Sequence, residues 1–324
     1  MKRRARSQAG FTLVELMVSL VMFSLAVGGI LAVAVSLTSG YRQQRQAIAS
    51  EGAVRVPMDY LADAIRQASA GAPGGINLTD VSGTTCTSGA VSVTNGANAP
   101  DRLDVIFASG AVVTSTRTIL TSSGGSVTVT NTSQLAPNDY VIISDISQGH
   151  MFKVTGVNAA TGVITLGTMC GTLNWPAADY PAGSMVIRAQ HAEFYVGTVD
   201  TIPTLMMDPD GPQGPLAAEP LAEGVEDMQV ALGIDTNGDS ALTDVGAAAN
   251  DDEWIYNKSG DTLPAGGAIR AVRITLIARA SAVVTGPSTY LRPAAEDRVA
   301  GSLDAYRRRV LRSTVEVRNT GGSP

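Results

Sequence analysis

Cysteine and histidine are both nearly missing from this chain of 324 residues: the sequence holds only Cys86, Cys170, His150 and His191. Two thiols cannot build a disulfide framework or a four-thiolate zinc site, although they suffice for one bridge. Neither histidine lies near a cysteine pair or at metal-ligand spacing from another histidine. The sequence also lacks a G-x-S-x-G elbow and a phosphate loop, so no arrangement for catalysis stands out and the chain does not read as an enzyme. The acidic pair Asp208 and Asp210 sits in a turn rich in proline and glycine, which explains it without chemistry. Charge is scarce too, at 16% of residues against about 25% in an ordinary soluble domain. Its distribution is uneven. Lys2, Arg3, Arg4 and Arg6 place four positive charges and no acid in the first ten residues, which against a total of −6 leaves −10 for the remainder. An acidic body lacks the basic face that nucleic-acid binding requires.

What the sequence does have is an unbroken apolar run near its start and a Gly-, Ser- and Thr-rich middle that suits an exported, strand-rich protein. Leu16 to Leu37 reads LMVSLVMFSLAVGGILAVAVSL, uncharged throughout. As a helix it would span about 33 Å, enough to cross a bilayer core. The basic cluster before it stays in the cytoplasm by the positive-inside rule, placing the body of the chain on the far side, single-pass with the carboxyl end out. A cleaved secretory signal ending at Ala32-Val33-Ala34 and a plain anchor are the competing readings; the run is longer than the usual signal core of about 7–15 residues. Neither accounts for Glu15. An acid at the mouth of an apolar span is costly and calls for a partner.

Gly10-Phe11-Thr12-Leu13-Val14-Glu15-Leu16, behind a short basic leader and before an apolar run, resembles the prepilin (class III) signal of type IV pilins and type II secretion pseudopilins. The resemblance implies a cut between Gly10 and Phe11 by a prepilin peptidase and methylation of the new amino terminus. It also implies a pairing of Glu15 with the Phe11 amine of a neighbouring subunit, so that two buried charges neutralise each other. Gly28 and Gly29 weaken the helix by about 1 kcal/mol each relative to alanine, or else permit close helix packing in the membrane.

Past Tyr41 the pattern becomes amphipathic. Val54, Met58, Leu61, Ile65 and Ala68 fall on one helical face. Glu51, Arg55 and Asp59 alternate in sign at i,i+4 spacing, and Asp63 can reach Arg66. Pro57 predicts a kink and Gly71-Ala72-Pro73-Gly74-Gly75 a firm stop. The expected organisation is therefore a leader at 1–10, then a long helix at about 11–70, transmembrane over about 13–37 and amphipathic over about 42–69. A β-rich domain follows at 71–324, with an insertion at about 120–190.

Strands are expected at Leu103 to Phe107, Ser126 to Thr130, Tyr140 to Ser144, Phe152 to Val157 and Val163 to Leu166, separated by turns such as Ala136-Pro137-Asn138-Asp139. Val272, Ile274, Leu276 and Ala278 alternate with polar neighbours, as do Leu311, Val315 and Val317, which predicts half-buried antiparallel strands. Gly224-Val225-Glu226-Asp227-Met228-Gln229-Val230, Gly233-Ile234-Asp235, Ala271-Val272-Arg273-Ile274 and Val315-Glu316-Val317-Arg318-Asn319 are similar, in order and approximate spacing, to the PilW family of minor type IV pilins. That resemblance implies an α+β type IV pilin fold, a long amino-terminal helix packed on an antiparallel sheet with a β-rich insertion. It further implies a minor pilin that primes pilus assembly from the inner membrane and sits at the filament tip. Its partners would be other minor pilins, the major pilin, the assembly platform and a tip adhesin, in the service of adhesion and twitching motility. A minor pseudopilin of a type II secretion system and a membrane-tethered periplasmic binding domain are the alternatives.

Two further expectations concern the exported body. Cys86 and Cys170 would bridge there, closing a loop that adds roughly 4 kcal/mol by the chain-entropy account, or else be buried separately as small hydrophobes. Asp235, Asn237 and Asp239 place oxygens at positions 1, 3 and 5 as calcium loops do, but Ser240 stands where glycine is expected and Gly246 where the bidentate glutamate would be, leaving Asp244, or one of Asp251, Asp252 and Glu253, to complete the shell. A hairpin turning on Asn237-Gly238 needs no metal.

Overall fold

A computed structural model describes residues 11–68, 77–78, 90–119, 125–146, 149–167, 179–211, 216–237, 241–243, 253–264, 268–280 and 289–317. One helix, α1 (Leu13–Gln67), opens the chain. It is followed by strands β1 (Asn77–Leu78), β2 (Val91–Thr94), β3 (Arg102–Thr114), β4 (Ser126–Thr128), β5 (Tyr140–Ser144), β6 (Gly149–Asn158) and β7 (Val163–Gly167). Then come β8 (Met185–Val199), β9 (Ile202–Asp208), β10 (Glu219–Glu223), β11 (Val225–Asp235) and β12 (Trp254–Ile255). The chain closes with β13 (Ala268–Arg279), β14 (Tyr290–Leu291), β15 (Leu303–Asp304) and β16 (Arg308–Glu316). The architecture is α+β, and apart from β1, which runs parallel to β6, the strand pairs are antiparallel.

Two compact units divide the chain, Met1–Ala49 and Ser50–Pro324. The described part of the first is α1 alone, with its apolar side chains exposed. In the second, the end of α1 buries the face that the sequence marks: Val54, Met58, Leu61, Ile65 and Ala68 enter one core with Leu103, Ile106 and Phe194 of one sheet and Met228, Val230, Ile274 and Leu276 of the other. Burial of each large apolar side chain contributes about 1.5–3 kcal/mol, which holds this part of the helix in place better than its propensity does. Pro57 lies within the helix and is buried, and α1 continues through it to Gln67. On the opposite face Arg55 reaches Glu51 at 2.9 Å and Arg66 reaches Asp63 at 2.8 Å, both exposed, so they solvate the helix.

The larger sheet is organised by β8. Along one edge it pairs with β3; along the other it pairs first with β5 and then with β9, which leads on to β10. Beyond β5 lie β6, β7 and β4. Phe152, Val141, Ile143, Ile164, Leu166 and Tyr180 form a second core of their own there, separate from the one under the helix. The smaller sheet has the order β12-β11-β13-β16.

Two expectations need correction. Leu103 to Phe107 is the start of a longer strand, which continues past an irregularity between Ala108 and Val112 to Thr114. The strand predicted as half-buried at 271–279 is buried on both faces, because Thr275 and Ile277, which alternate with the inward Ile274 and Leu276, are covered as well. Thr275 lies under Glu296 and Arg312, which form part of the site described next.

Candidate functional site

The amino-terminal segment carries its own cap. The Thr12 N–H and Oγ1–H donate to Glu15 Oε2 at 3.0 and 2.9 Å, while Glu15 N–H donates to Thr12 Oγ1 at 3.3 Å. This reciprocal capping box satisfies donors that the first helical turn leaves open. The Thr-x-x-Glu spacing makes it legible in the sequence, where the reading above took Glu15 only as a charge in need of a partner. From there an apolar stretch, Leu13–Tyr41, has a mean hydropathy of 2.5 and none of its most apolar window buried. Its hydroxyls are turned inward: Ser19, Ser24, Thr38 and Ser39 donate to carbonyls three or four residues back at 2.8–2.9 Å. A hydroxyl satisfied by its own helix can face lipid at low cost. Phe11 is 86% exposed, and a Cβ added at Gly28 or Gly29 would meet nothing within 4 Å. Gly10 lies outside the described residues, as do Cys86 and Cys170.

At the other end of the chain the residues that carry the PilW resemblance hold an ionic layer on the outer face of the smaller sheet. Asp227, fully buried, accepts from Arg292 at 2.7 Å, Arg298 at 2.6 Å and the Gln229 amide at 2.9 Å. Its neighbour Glu226 pairs with Arg308, which also holds Asp304. Glu296 takes Arg273 at 2.9 Å, Arg312 at 3.2 Å and the Thr275 hydroxyl at 3.0 Å. Arg273 in turn lies 4.3 Å from the Trp254 ring, a cation–π geometry. These bonds fasten the segment 290–304 over β11, β13 and β16. Arg292, Glu296 and Arg298 have no periodicity or motif that would have disclosed their partners, because each closes a gap of tens of residues in sequence.

Of the four calcium-loop residues, Asp235 and Asn237 are described and Asp239 and Asp244 are not. Asp235 Oδ2 is 3.2 Å from Arg270, an arrangement that already supplies positive charge. Glu253, fully buried, receives the N–H groups of Thr236 at 3.0 Å, Asn237 at 3.4 Å and Thr243 at 3.3 Å, so it organises the loop from inside. Among the described residues no group of three or more His, Cys, Asp or Glu side chains is placed to hold a metal.

Both histidines have structural partners. His191 Nε2 lies 3.1 Å from Asp104 in a buried setting, and His150 Nδ1 lies 2.6 Å from the Tyr180 hydroxyl, where burial pulls its pKa down. Asp210, buried beneath the turn that Gly211 makes at φ 69°, receives the Leu216 N–H at 3.1 Å. It borders an open cleft of about 460 Å³ with Tyr140, Asp139 and Arg188, the last two ion-paired at 3.0 Å.

Residues 193–319 match the family described as Type IV Pilus-assembly protein W, a span that runs from within β8 through β16 and takes in the ionic layer. Residues 5–36 match the prokaryotic N-terminal methylation motif, which contains the cap at Thr12 and Glu15. No curated protein and no solved structure gives a significant match. With a methylation signal opening an apolar helix at one end and a pilus-assembly sheet at the other, the chain is a PilW-like type IV pilin.

Proposed function

We propose that the chain is a minor type IV pilin with the pilin fold, made as an inner-membrane precursor and cut between Gly10 and Phe11 by a prepilin peptidase. After cleavage it joins other minor pilins and the major pilin on the assembly platform, primes the filament and stays at its tip beneath an adhesin. The observation that carries this reading is the apolar Leu13–Tyr41 helix, unburied within the chain and opened by an acid. A helix of that kind needs both a surrounding and a counter-charge, and a filament of like helices supplies the two together: lipid or neighbours for the apolar surface, and the Phe11 amine of an adjacent subunit for Glu15. The methylation match favours this over a tethered binding domain, and the PilW match favours a pilus over a secretion pseudopilus.

Two side readings belong to the same proposal. Once exported, Cys86 and Cys170 form a bridge. The 235–244 loop takes calcium through Asn237, Asp239 and Asp244, with Asp235 shared between the ion and Arg270. The deciding experiment is mass spectrometry of the native protein recovered from sheared filaments. The expected amino terminus is N-methylated Phe11, with Cys86 and Cys170 linked in one non-reduced peptide pair. An intact residue 1, or cleavage after Ala34, would sink the pilin processing; absence from sheared filaments would sink the tip placement.

A further inference from the structure

One end of the smaller sheet carries more positive charge than its acids answer. Where β13 ends and β16 begins, Arg279 pairs in register with Arg308, and Arg307 and Arg309 flank the latter. Arg308 is taken up by Glu226 and Asp304. Among the described residues no ion pair reaches Arg279, Arg307 or Arg309. Arg279 lies instead 4.5 Å from the Tyr306 ring, and Arg307 donates to the Tyr290 hydroxyl at 2.9 Å and lies 5.7 Å from that ring. Beside them Leu291 and Leu303, register partners of β14 and β15, are 48% and 65% exposed. Val310, on the same face of β16 as Arg308, is 49% exposed. Arginine and tyrosine each join an apolar body to a polar tip, the combination that suits a boundary between water and lipid.

The strip lies at the end of the second unit where α1 enters. Ala68 bridges to Phe107, which pairs with Gln190, while Tyr60 rests on Phe194 with ring centres 5.9 Å apart. Going back along α1 toward Ser50 therefore means going forward along β8 toward Val199. There the chain turns into β9, the Pro203 carbonyl takes the Gly224 N–H at 2.7 Å, and the Gly224 carbonyl takes the Arg279 N–H at 2.9 Å. Within the first unit, Arg45 lies 5.8 Å from the Tyr41 ring at the close of the apolar stretch, the same pairing of cation and ring. Ser50 follows Arg45 by five residues, a reach of at most about 18 Å.

We propose that this strip docks on the anionic headgroups of the membrane that holds the Leu13–Tyr41 helix, so that the unassembled subunit keeps its body against the bilayer. The inference rests on the membrane reading of that helix given above. Two observations select a lipid surface over an acidic protein. The unpaired arginines sit together with bare aliphatic side chains, and a bilayer surface accommodates both at once, headgroups for the charge and the acyl boundary for the leucines. The covalent link also holds this end of the body within reach of the bilayer, which makes docking an intramolecular event that needs little intrinsic affinity. A contact built on exposed arginines is screened by salt and readily reversed, as suits a subunit that must leave the bilayer for a filament.

The test uses the full-length protein reconstituted into liposomes of phosphatidylcholine, alone or mixed with phosphatidylglycerol, and follows amide hydrogen exchange of the peptides covering 290–310. Slower exchange at 303–310 in the anionic liposomes than in the neutral ones is expected, with the difference erased by high salt. Arg307→Gln and Arg309→Gln should each weaken the docking about fivefold. Arg188→Gln, far along β8 from this end, should leave it unchanged. If Arg307→Gln disturbs the fold through its lost bond to Tyr290, Arg309→Gln carries the test, since the exposed Arg309 side chain makes no such bond. Resistance to alkaline extraction reports insertion of the helix separately. Inserted protein with equal exchange in both liposomes overturns the docking alone and leaves the arginines as charges that keep an edge strand from pairing. A lipid-dependent change indifferent to both variants overturns it as well, and protein that does not insert overturns it together with the membrane reading.

Discussion

Asp227→Asn should unlatch the segment 290–304 from the smaller sheet. The carboxylate is fully buried and receives three donors within 3 Å, two of them from guanidinium groups that are only 13% and 15% exposed. Asparagine keeps the shape, removes the charge and turns one acceptor into an NH2 group facing an arginine. Breaking a buried ion pair from one side costs about 3–5 kcal/mol, largely because the other charge stays buried and alone. Two arginines are stranded here, so the upper part of that range is expected, a large share of the 5–15 kcal/mol that holds an ordinary domain. The assay is urea denaturation of the full chain in detergent, followed by fluorescence of Trp254, whose ring lies on Arg273 in the same layer. A companion variant separates charge from shape. Asp227→Leu with Arg292→Met and Arg298→Met removes the whole cluster and replaces it with apolar volume, an exchange that is often neutral or stabilising. The reasoning fails if Asp227→Asn loses less than about 1 kcal/mol, the worth of an exposed pair, or if the triple variant is as unstable as the single one.

Leu61→Ala, at a fully buried helix position that meets both sheets, should cost about 2–5 kcal/mol in the same denaturation experiment, whereas Arg55→Ala on the exposed face should change stability by less than about 0.5 kcal/mol. Asp101 gives a pH dependence of known sign. Its folded-state pKa is raised above the unfolded value, so its contribution is fully present below about pH 4 and is lost as pH rises through about 7. Compared with Asp101→Asn, the wild-type protein should therefore lose stability steadily between pH 4 and 7 in chelator, and a difference of the opposite slope would contradict the burial seen at Asp101.

The apolar elements were readable because they repeat with the period of their structure. The helix face from Val54 to Ala68 and the alternation from Val272 to Ala278 each point to one buried surface, and Tyr140 to Ser144 begins and ends where expected. The pair β8 and β9 was not readable in the same way. β8 is covered on both faces over much of its length, from Ala189 to Phe194 especially, and a strand buried on both sides loses the alternation that would announce it. Ser109-Gly110-Ala111 likewise interrupts β3 where the register shifts, so its second half had no strand signal. The ionic layer was illegible for another reason. Glu226 and Asp227 could be recognised as part of a familiar motif, but Arg292, Glu296, Arg298 and Arg308 become their partners only when the sheet folds. Local spacing can reveal a cap such as Thr12 with Glu15; it cannot reveal a contact across 65 or 71 residues.

That cap bears on how a membrane precursor could become a filament subunit. Glu15 answers the first turn of its own helix with Oε2 alone, taking both the Thr12 N–H and the Thr12 hydroxyl there. The single chain therefore has a way to keep its acid hydrogen-bonded at the entrance of the apolar run before any neighbour arrives, which lowers the cost of carrying it there. Oε1 takes no part in the cap, so the proposed bond to the amine of an adjacent Phe11 would add to the capping box without breaking it. Under this arrangement Thr12 orients the carboxylate and the filament neutralises it. A threonine-to-alanine change at this position should then weaken the helix start by about 0.5–2 kcal/mol and leave the charge pairing possible. Glu15→Gln keeps an oxygen for the cap and removes the charge, so it should spare the precursor helix while depriving assembly of its counter-ion. On the proposed processing, cleavage after Gly10 and capping at Thr12 would act on the same carboxylate from opposite sides of Phe11, one by creating a charge for it to meet and the other by holding it in position.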